Sequence, residues 1–184
     1  MEMSKDRMIR ADFYPASSAE SLGTLIVCHG YKGFKDWGMF PHAAEALASD
    51  VDVVAINFSH NGVGDDLLEF TELEKFAKAT YSKDLEDLNA IQRLVASDEF
   101  QTNIMQAEQL PVHFHINDSF KPANRSKPFI FLGHSRGGAV CLIHALDHPE
   151  ASIAGVISWN GIVDVDLLSE ENKAEMREKG AATR

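Results

Sequence analysis

The apolar residues of this chain fall in short continuous runs, separated by segments with apolar positions at helical spacing. Four runs are typical of strands buried on both faces of a sheet, at residues 24–28, 51–58, 129–132 and 153–159. A fifth strand is predicted at residues 8–14, before Pro15. Helices are predicted at 41–49, at 67–79 (short and irregular), at 82–96, at 139–148 and from Ser169 to Gly180. This alternation predicts an α/β fold with a mostly parallel sheet flanked by helices in three layers.

Residues 98–128 are the least regular part of the pattern. Within them, Val112–Ile116 alternates polar and apolar side chains as a strand does, and we interpret the remainder as an irregular insertion. A chain of 184 residues is long enough for one domain with its own core. We therefore predict a single domain over residues 1–184.

One glycine-rich segment, Gly-His-Ser-Arg-Gly-Gly at residues 133–138, lies between a predicted buried strand and a predicted helix. Strand, sharp turn and helix form the context of a nucleophile elbow, in which Ser135 projects from the carboxyl end of the strand. Gly133 and Gly137 stand two residues from the serine on either side, where a side chain would collide with the adjoining strand or helix. The alternative is an ordinary glycine turn with a solvated serine, which leaves these glycines unexplained.

Charge and composition exclude several classes of function. The net charge of −11, from 28 acidic and 17 basic residues, argues against nucleic acid or an anionic membrane as a partner. The sequence contains no run of about 18 apolar residues, so no membrane span is predicted. The first residues lack the apolar core of a signal peptide. Cys28 and Cys141 lie in predicted core elements. We expect reduced thiols and a cytoplasmic protein.

No cofactor is predicted. Neither the dinucleotide-binding nor the phosphate-loop glycine motif is present. His113 and His115 share one face of a predicted strand, a spacing that can bind a metal ion, but no third ligand is evident. We therefore expect no metal site.

At this point the chain resembles the α/β-hydrolase superfamily of serine hydrolases. A strand leads to His29-Gly30-Tyr31, an oxyanion-loop motif, and the Gly133–Gly138 motif follows in the order of the superfamily. The sequence of residues 29–37 and 57–62 resembles the corresponding segments of bacterial esterases and dienelactone-hydrolase-like members. The resemblance implies that Ser135 is the nucleophile and that the backbone N–H groups of Tyr31 and Arg136 are the oxyanion donors.

The resemblance also implies a catalytic acid and a histidine beyond the strand that ends near Trp159. The chain ends at Arg184, before both positions, so we expect the C-terminal part of the fold to be missing. Asp164, just past that strand, is the candidate acid; the alternative is a solvated loop carboxylate.

For the base, His60 is the best internal candidate because it follows a strand at the catalytic edge of the sheet. The alternative for His60 is a role in structuring its loop. We expect His29 to hold the oxyanion loop by hydrogen bonds and His134 to point away from the serine. His144 and His148, on the helix behind the turn, are expected to be structural or solvated.

Several side chains near the predicted site have two interpretations. Lys32, Lys35 and Arg136 are either ligands for an anionic substrate group or solvated charges beside a loop. Phe34 and Trp37 either form the wall of an acyl pocket or pack the loop.

Two functions remain open at this stage. The first is a serine hydrolase that acts on small carboxylic esters through an acyl-enzyme. The second is a non-catalytic interaction module that keeps the turn without the acid and histidine. The strand at residues 153–159 is predicted to be an apolar sheet edge, which favours a homo-oligomer formed by edge pairing.

Overall fold

The computed structural model describes residues 7–18, 20–97, 100, 112–116, 128–149, 151–164 and 169–179. Strands in this part of the chain form a six-stranded sheet: β1 Ile9–Tyr14, β2 Thr24–Cys28, β3 Asp52–Asn57, β4 Val112–Ile116, β5 Phe129–His134 and β6 Ile153–Trp159. Their order is β4-β1-β3-β2-β5-β6, and β1 is antiparallel to β3 while the other neighbours are parallel. The predicted fold class is therefore confirmed.

The helices of the described residues are α1 Phe40–Leu47, α2 Leu73–Phe76, α3 Tyr81–Val95, α4 Arg136–Asp147 and α5 Glu170–Lys179. Most begin or end within two residues of the predicted bounds. The exception is the segment predicted at 67–79, of which only α2 is helical. At the start of α5 the Asn172 N–H donates to Ser169 Oγ at 3.1 Å, which is the predicted N-cap. Gly180, predicted to end this helix, lies outside the described residues.

The sheet is covered on both faces because alternate residues of a strand point in opposite directions. In β3, Val53 and Ala55 pack with α1, whereas Val54 and Ile56 belong to the larger cluster formed with α3 and α4. This arrangement gives three layers, with the continuous apolar runs of β2 and β3 buried on both faces.

The strand predicted at Val112–Ile116 is confirmed as β4, an edge strand that pairs in parallel with β1. The rest of the predicted insertion at 98–128, apart from residues 100 and 128, lies outside the described residues. At the opposite edge lies β6, where the exposed side chains include Ile157 and Trp159. Among the described helices, none is both long and apolar enough to span a membrane.

Candidate active site

Ser135 lies in a strained turn between β5 and α4. Strand β5 ends at His134, α4 begins at Arg136, and Ser135 between them has φ 52° and ψ −118°. A side chain at positive φ costs about 1–3 kcal/mol and persists only where the surroundings impose it. Here the Ser135 N–H donates to the Trp159 carbonyl at 3.0 Å, and the Ser135 carbonyl accepts from Gly138 at 3.0 Å and Ile162 at 3.2 Å.

The glycines on either side of Ser135 are required by close packing. A Cβ at Gly133 would overlap the backbone of Gly137. A Cβ at Gly137 would lie 2.5 Å from the His29 carbonyl oxygen and 2.6 Å from that of Cys28. A side chain at either glycine would therefore collide with the adjoining strand or helix, as the motif predicts. The absence of those side chains lets the start of α4 pack against the end of β2.

The loop after β2 runs beside Ser135. A Cβ built on Gly30 would lie 3.1 Å from Ser135 Cβ, so the two backbones approach closely only because residue 30 is glycine. Within the described residues, no acceptor takes the backbone N–H of Tyr31 or of Arg136. Arg136 is the first residue of α4, where N–H groups have no intrahelical partner and the helix dipole is positive.

Backbone strain is concentrated at this edge of the sheet. Among the described residues, three side chains other than glycine have positive φ: Lys32, Ser135 and Asn160. They follow the carboxyl ends of β2, β5 and β6, which lie at one edge because these strands are parallel. Strained residues of this kind are enriched at functional sites.

His29 fastens the loop after β2 to the end of β3. Its Nε2 accepts from the Phe58 N–H at 3.2 Å, so the proton is on Nδ1, which donates to the Gly30 carbonyl at 2.8 Å. The pKa of His29 is lowered to about 4, mainly by burial; the Gly30 hydrogen bond opposes this shift and the Arg136 charge adds to it. The ring is therefore neutral at pH 7, and it has the loop-holding role expected from the sequence.

Arg136 forms a partly buried ion pair with Asp84 of α3. Its Nε donates to Asp84 Oδ2 at 2.8 Å, and its guanidinium lies 4.3 Å from the centre of the Tyr81 ring. Burial raises the pKa of Asp84 to about 6, against the lowering effect of Arg136. Arg136 is therefore not a solvated charge; it lines the cavity described below as part of a pair with Asp84.

A second buried carboxylate, one turn along α3, holds the loop after β3. Asp87 accepts from the Ser59 N–H at 2.8 Å and pairs with Arg7 at 2.6 Å. Burial raises the pKa of Asp87, against the lowering effect of its hydrogen bonds with Ser59. Asp84 and Asp87 therefore connect one helix to both the turn at Ser135 and the loop that carries His60.

A cavity opens between these loops. It is narrow, because its empty space of about 290 Å³ includes the open solvent at its mouth, and it lies between the loops after β2 and β3, helix α2 and the Arg136–Asp84 pair. Tyr31 and Phe76 form one wall, with ring centres 5.2 Å apart. His60 and Asn61 form another.

His60 is buried in that wall, with Nδ1 2.9 Å from Ser59 Oγ. Burial lowers the pKa of His60, and the charges of Lys83, Arg7, Lys75 and Lys78 lower it further. Within the described residues, no hydrogen bond joins His60 to Ser135 Oγ.

The other predicted site residues are not brought together with Ser135. Asp164 is solvent-exposed beyond the end of β6. The His134 ring packs edge-on against Phe40 and Trp159, as expected for a residue that points away from the serine. His144 is fully buried and contacts Gln92 Oε1 at 2.6 Å.

Lys35 fits neither of its two interpretations, whereas Phe34 packs its loop, as one of its interpretations has it. Lys35 is buried, and its Nζ lies 2.8 Å from carboxylate oxygens of both Asp12 and Asp36, so it neither is solvated nor reaches a substrate. Phe34 packs edge-on against Phe70, which lies in the segment between β3 and α2, and Trp37 is exposed. Neither aromatic side chain lines the cavity.

Asp84 and Asp87 are not among the site residues predicted from the sequence. The signal was present, because each carboxylate precedes an apolar core residue of the helix, Leu88 or Ile91, by four positions and so lies on the same face. Acidic residues on the buried face of a helix need a partner. No group of metal-ligating side chains is found among the described residues.

The family model for the alpha/beta hydrolase fold matches residues 23–178. No curated protein matches the chain. Among solved structures, a putative hydrolase from Agrobacterium vitis S4 superposes with a TM-score of 0.57 and 17% identity, covering 91% of this chain and 54% of that one.

Two further structures are similar. Est1E from Butyrivibrio proteoclasticus, with ferulic acid bound, has a TM-score of 0.51 and 18% identity, covering 80% of this chain and 47% of that one. A structure described under LipS and LipT, metagenome-derived lipolytic enzymes, has a TM-score of 0.53 and 18% identity, covering 95% and 52%. These similarities show the fold, and the chain spans about half the length of the proteins it matches.

Proposed function

Because the chain belongs to the alpha/beta hydrolase fold family, we propose that it is a serine hydrolase of small carboxylic esters with Ser135 as nucleophile. The observation that carries the proposal is the positive φ of Ser135 at the start of α4, beside the N–H groups of Tyr31 and Arg136, which have no acceptor within the described residues. Strain of this kind aims a side chain out of the sheet, which a nucleophile requires and an ordinary turn does not.

In the proposed reaction Ser135 Oγ attacks the ester carbonyl and passes its proton to a base. The negative charge that develops on the carbonyl oxygen is stabilised by the N–H groups of Tyr31 and Arg136. Each such donor contributes about 3 kcal/mol of barrier reduction in comparable sites. The C–O bond to the alcohol breaks, the alcohol leaves with the proton, and water then releases the acid from the acyl-enzyme.

Within the described residues, His60 is the proposed base. Of the two histidines in the cavity wall, His29 uses both ring nitrogens in backbone hydrogen bonds, whereas the contact of His60 is through Nδ1 alone. The lowered pKa of His60 keeps its ring neutral at pH 7, the state that accepts a proton. Asp164 remains the proposed acid.

The proposal is tested with a fluorophosphonate probe and short-chain aryl esters. We expect stoichiometric labelling of the chain, ester turnover, and loss of both in Ser135→Ala. Ser49→Ala is the matched control, because it removes a solvent-exposed serine hydroxyl after α1 and leaves the turn and His60 untouched. Absence of labelling in the unmodified chain would contradict the proposal.

A second candidate function is an interaction module that pairs through β6 with a second copy of the chain. The exposed side chains of β6, including Ile157 at 51% and Trp159 at 46%, favour it because exposed apolar edges recruit strands. Sedimentation equilibrium should show a dimer that Ile157→Lys weakens. A chain that stays monomeric at all concentrations would rule this out.

The proposed setting is the cytoplasm, without a metal or cofactor. Cys28 and Cys141 are free and buried, as expected for thiols in a reducing compartment. The net charge of −11 makes a small-molecule ester a better partner than nucleic acid.

A further inference from the structure

Helix α4, which begins directly after Ser135, is tied to α3 by two pairs of side chains. At the start of α4, Arg136 donates from Nε to Asp84 Oδ2 at 2.8 Å, and its Nη2 lies 2.7 Å from the same oxygen. About two turns further along both helices, His144 Nε2 lies 2.6 Å from Gln92 Oε1. Of these two pairs the first adjoins the turn, so a comparison of the two separates an effect on the turn from an effect on helix packing.

The Arg136 side chain is closely restrained. Asp84 is buried, the guanidinium lies 4.3 Å from the centre of the Tyr81 ring, and the Arg136 side chain is 17% exposed. A carboxylate that contacts two nitrogens of one guanidinium restrains its orientation as well as its position. Because Arg136 is the first residue of α4, a restraint on its side chain also restrains the direction of its backbone N–H.

The turn needs such a restraint because Ser135 is strained. Backbone at φ 52° persists only while the surrounding contacts impose it. On the β6 side, the Ser135 N–H donates to the Trp159 carbonyl at 3.0 Å, and the Ser135 carbonyl accepts from Ile162 at 3.2 Å. On the α3 side, Asp84 holds the residue that follows Ser135.

We propose that Asp84 is a positioning residue of this site. Through the Arg136 side chain it holds the turn at Ser135 and aims the Arg136 N–H at the ester oxygen that becomes negative. The effect on the oxyanion rests on the proposed function, whereas the effect on the turn does not.

Loss of Asp84 has two opposite consequences, and the sign of the result distinguishes them. A misplaced Arg136 N–H lowers the rate, because a donor must lie where the charge develops. An unpaired Arg136 charge beside the turn raises the rate, because a cation stabilises a developing anion. The proposal requires the first effect to be the larger.

The kinetic test is turnover of short-chain aryl esters by Asp84→Leu, which replaces both carboxylate oxygens by methyl groups in the same branched shape. We expect kcat to fall by about tenfold or more with KM within about twofold, since the lost interaction acts in the transition state. Asp84→Asn, which keeps one oxygen for Arg136 Nε, should be intermediate. An unchanged or higher kcat in Asp84→Leu would overturn the proposal.

Two further variants show whether Asp84 acts through Arg136. In a chain that already carries Arg136→Met, Asp84→Leu should cause no further loss of kcat, because the connection is already broken. Losses that multiply would contradict the proposal. Gln92→Met is the matched control: it breaks the second pair between the same helices and should leave kcat unchanged.

The pH dependence tests Asp84 without relying on Asp84→Leu to fold. Burial raises the pKa of Asp84 to about 6, so acid neutralises it in the unsubstituted chain. The ratio of the unsubstituted kcat to that of Asp84→Asn should therefore fall towards one between pH 8 and pH 5, and a constant ratio would overturn the proposal. The other titratable and charged groups that act on Asp84 or share its cavity wall are retained in both chains, so their own titration cancels in the ratio. These groups are Arg136 on α4, Asp87 on α3, Arg7 before β1, Cys28 on β2, and His29 and His60 in the wall.

Hydrogen exchange reports on the turn without a substrate. Relative to the amides of β2, which report on global unfolding, the Ser135 N–H should exchange faster in Asp84→Leu and not in Gln92→Met. A chain that resists fluorophosphonate but shows this faster exchange retains the role of Asp84 and loses the proposed function. A labelled chain in which Asp84→Leu changes neither exchange nor kcat does the reverse.

Discussion

The neutral, buried ring of His29 predicts a specific acid sensitivity. Its pKa is about 4 in the folded chain, against an ordinary value of 6.5. Between these values the unfolded chain binds a proton that the folded chain does not. The contribution of the neutral His29 ring to the free energy of unfolding is therefore complete above pH 6.5 and is lost as the pH falls towards 4.

The size of the loss follows from the two pKa values. One pKa unit corresponds to about 1.4 kcal/mol, so a fall from pH 7 to pH 5 removes about 2 kcal/mol of unfolding free energy through His29 alone. The pKa of His144, also lowered to about 4 by burial, adds a loss of the same sign. The raised pKa of Asp84, about 6, acts in the opposite direction over this range.

Urea unfolding at pH 7 and pH 5 measures this contribution when the chain is compared with His29→Gln, which cannot titrate. We expect the pH-dependent loss to be about 2 kcal/mol smaller in His29→Gln. The exposed His42, changed to Gln, is the matched control and should keep the original loss. A loss unchanged by His29→Gln would refute the reasoning.

Nuclear magnetic resonance titration of the unsubstituted chain gives an independent check. The His29 ring should stay in the Nδ1–H form from pH 7 to pH 5, because Nε2 accepts the Phe58 N–H. A ring that gains a proton near pH 6.5 would contradict the burial argument, whatever the stability of the variant.

Three further predictions concern the turn at Ser135. Gly137→Ala should lower the unfolding free energy by at least about 2 kcal/mol, since its Cβ would lie 2.5 Å from the rigid His29 carbonyl; a denaturation midpoint equal to that of the original chain would contradict this. Arg136→Met should cost about 3 kcal/mol at pH 7 by leaving Asp84 unpaired, and less at pH 5, where that carboxyl binds a proton; an equal cost at both pH values would show that the pair is not the cause. Ser135→Gly should be more stable than Ser135→Ala by about 1 kcal/mol in urea unfolding, because only glycine adopts φ 52° without strain; the reverse order would mean that the turn relaxes.

The local pattern of residues determined the strands, their parallel arrangement and the strained turn. The runs at 24–28 and 129–132 are apolar at every position or nearly so, which only a sheet covered on both faces accommodates. The two glycines beside Ser135 specify a backbone approach that a side chain would prevent. These properties depend on neighbours in sequence, and a sequence therefore reveals them.

Only the tertiary structure decided which charges are buried together. Arg136 and Asp84 are 52 residues apart, and Lys35 meets Asp12 across 23 residues, so no local pattern distinguishes them from solvated side chains. The cavity likewise arises where separate loops converge. Pairing, burial and pKa depend on distances between remote segments, and those distances exist only once the sheet has brought the loops to one edge.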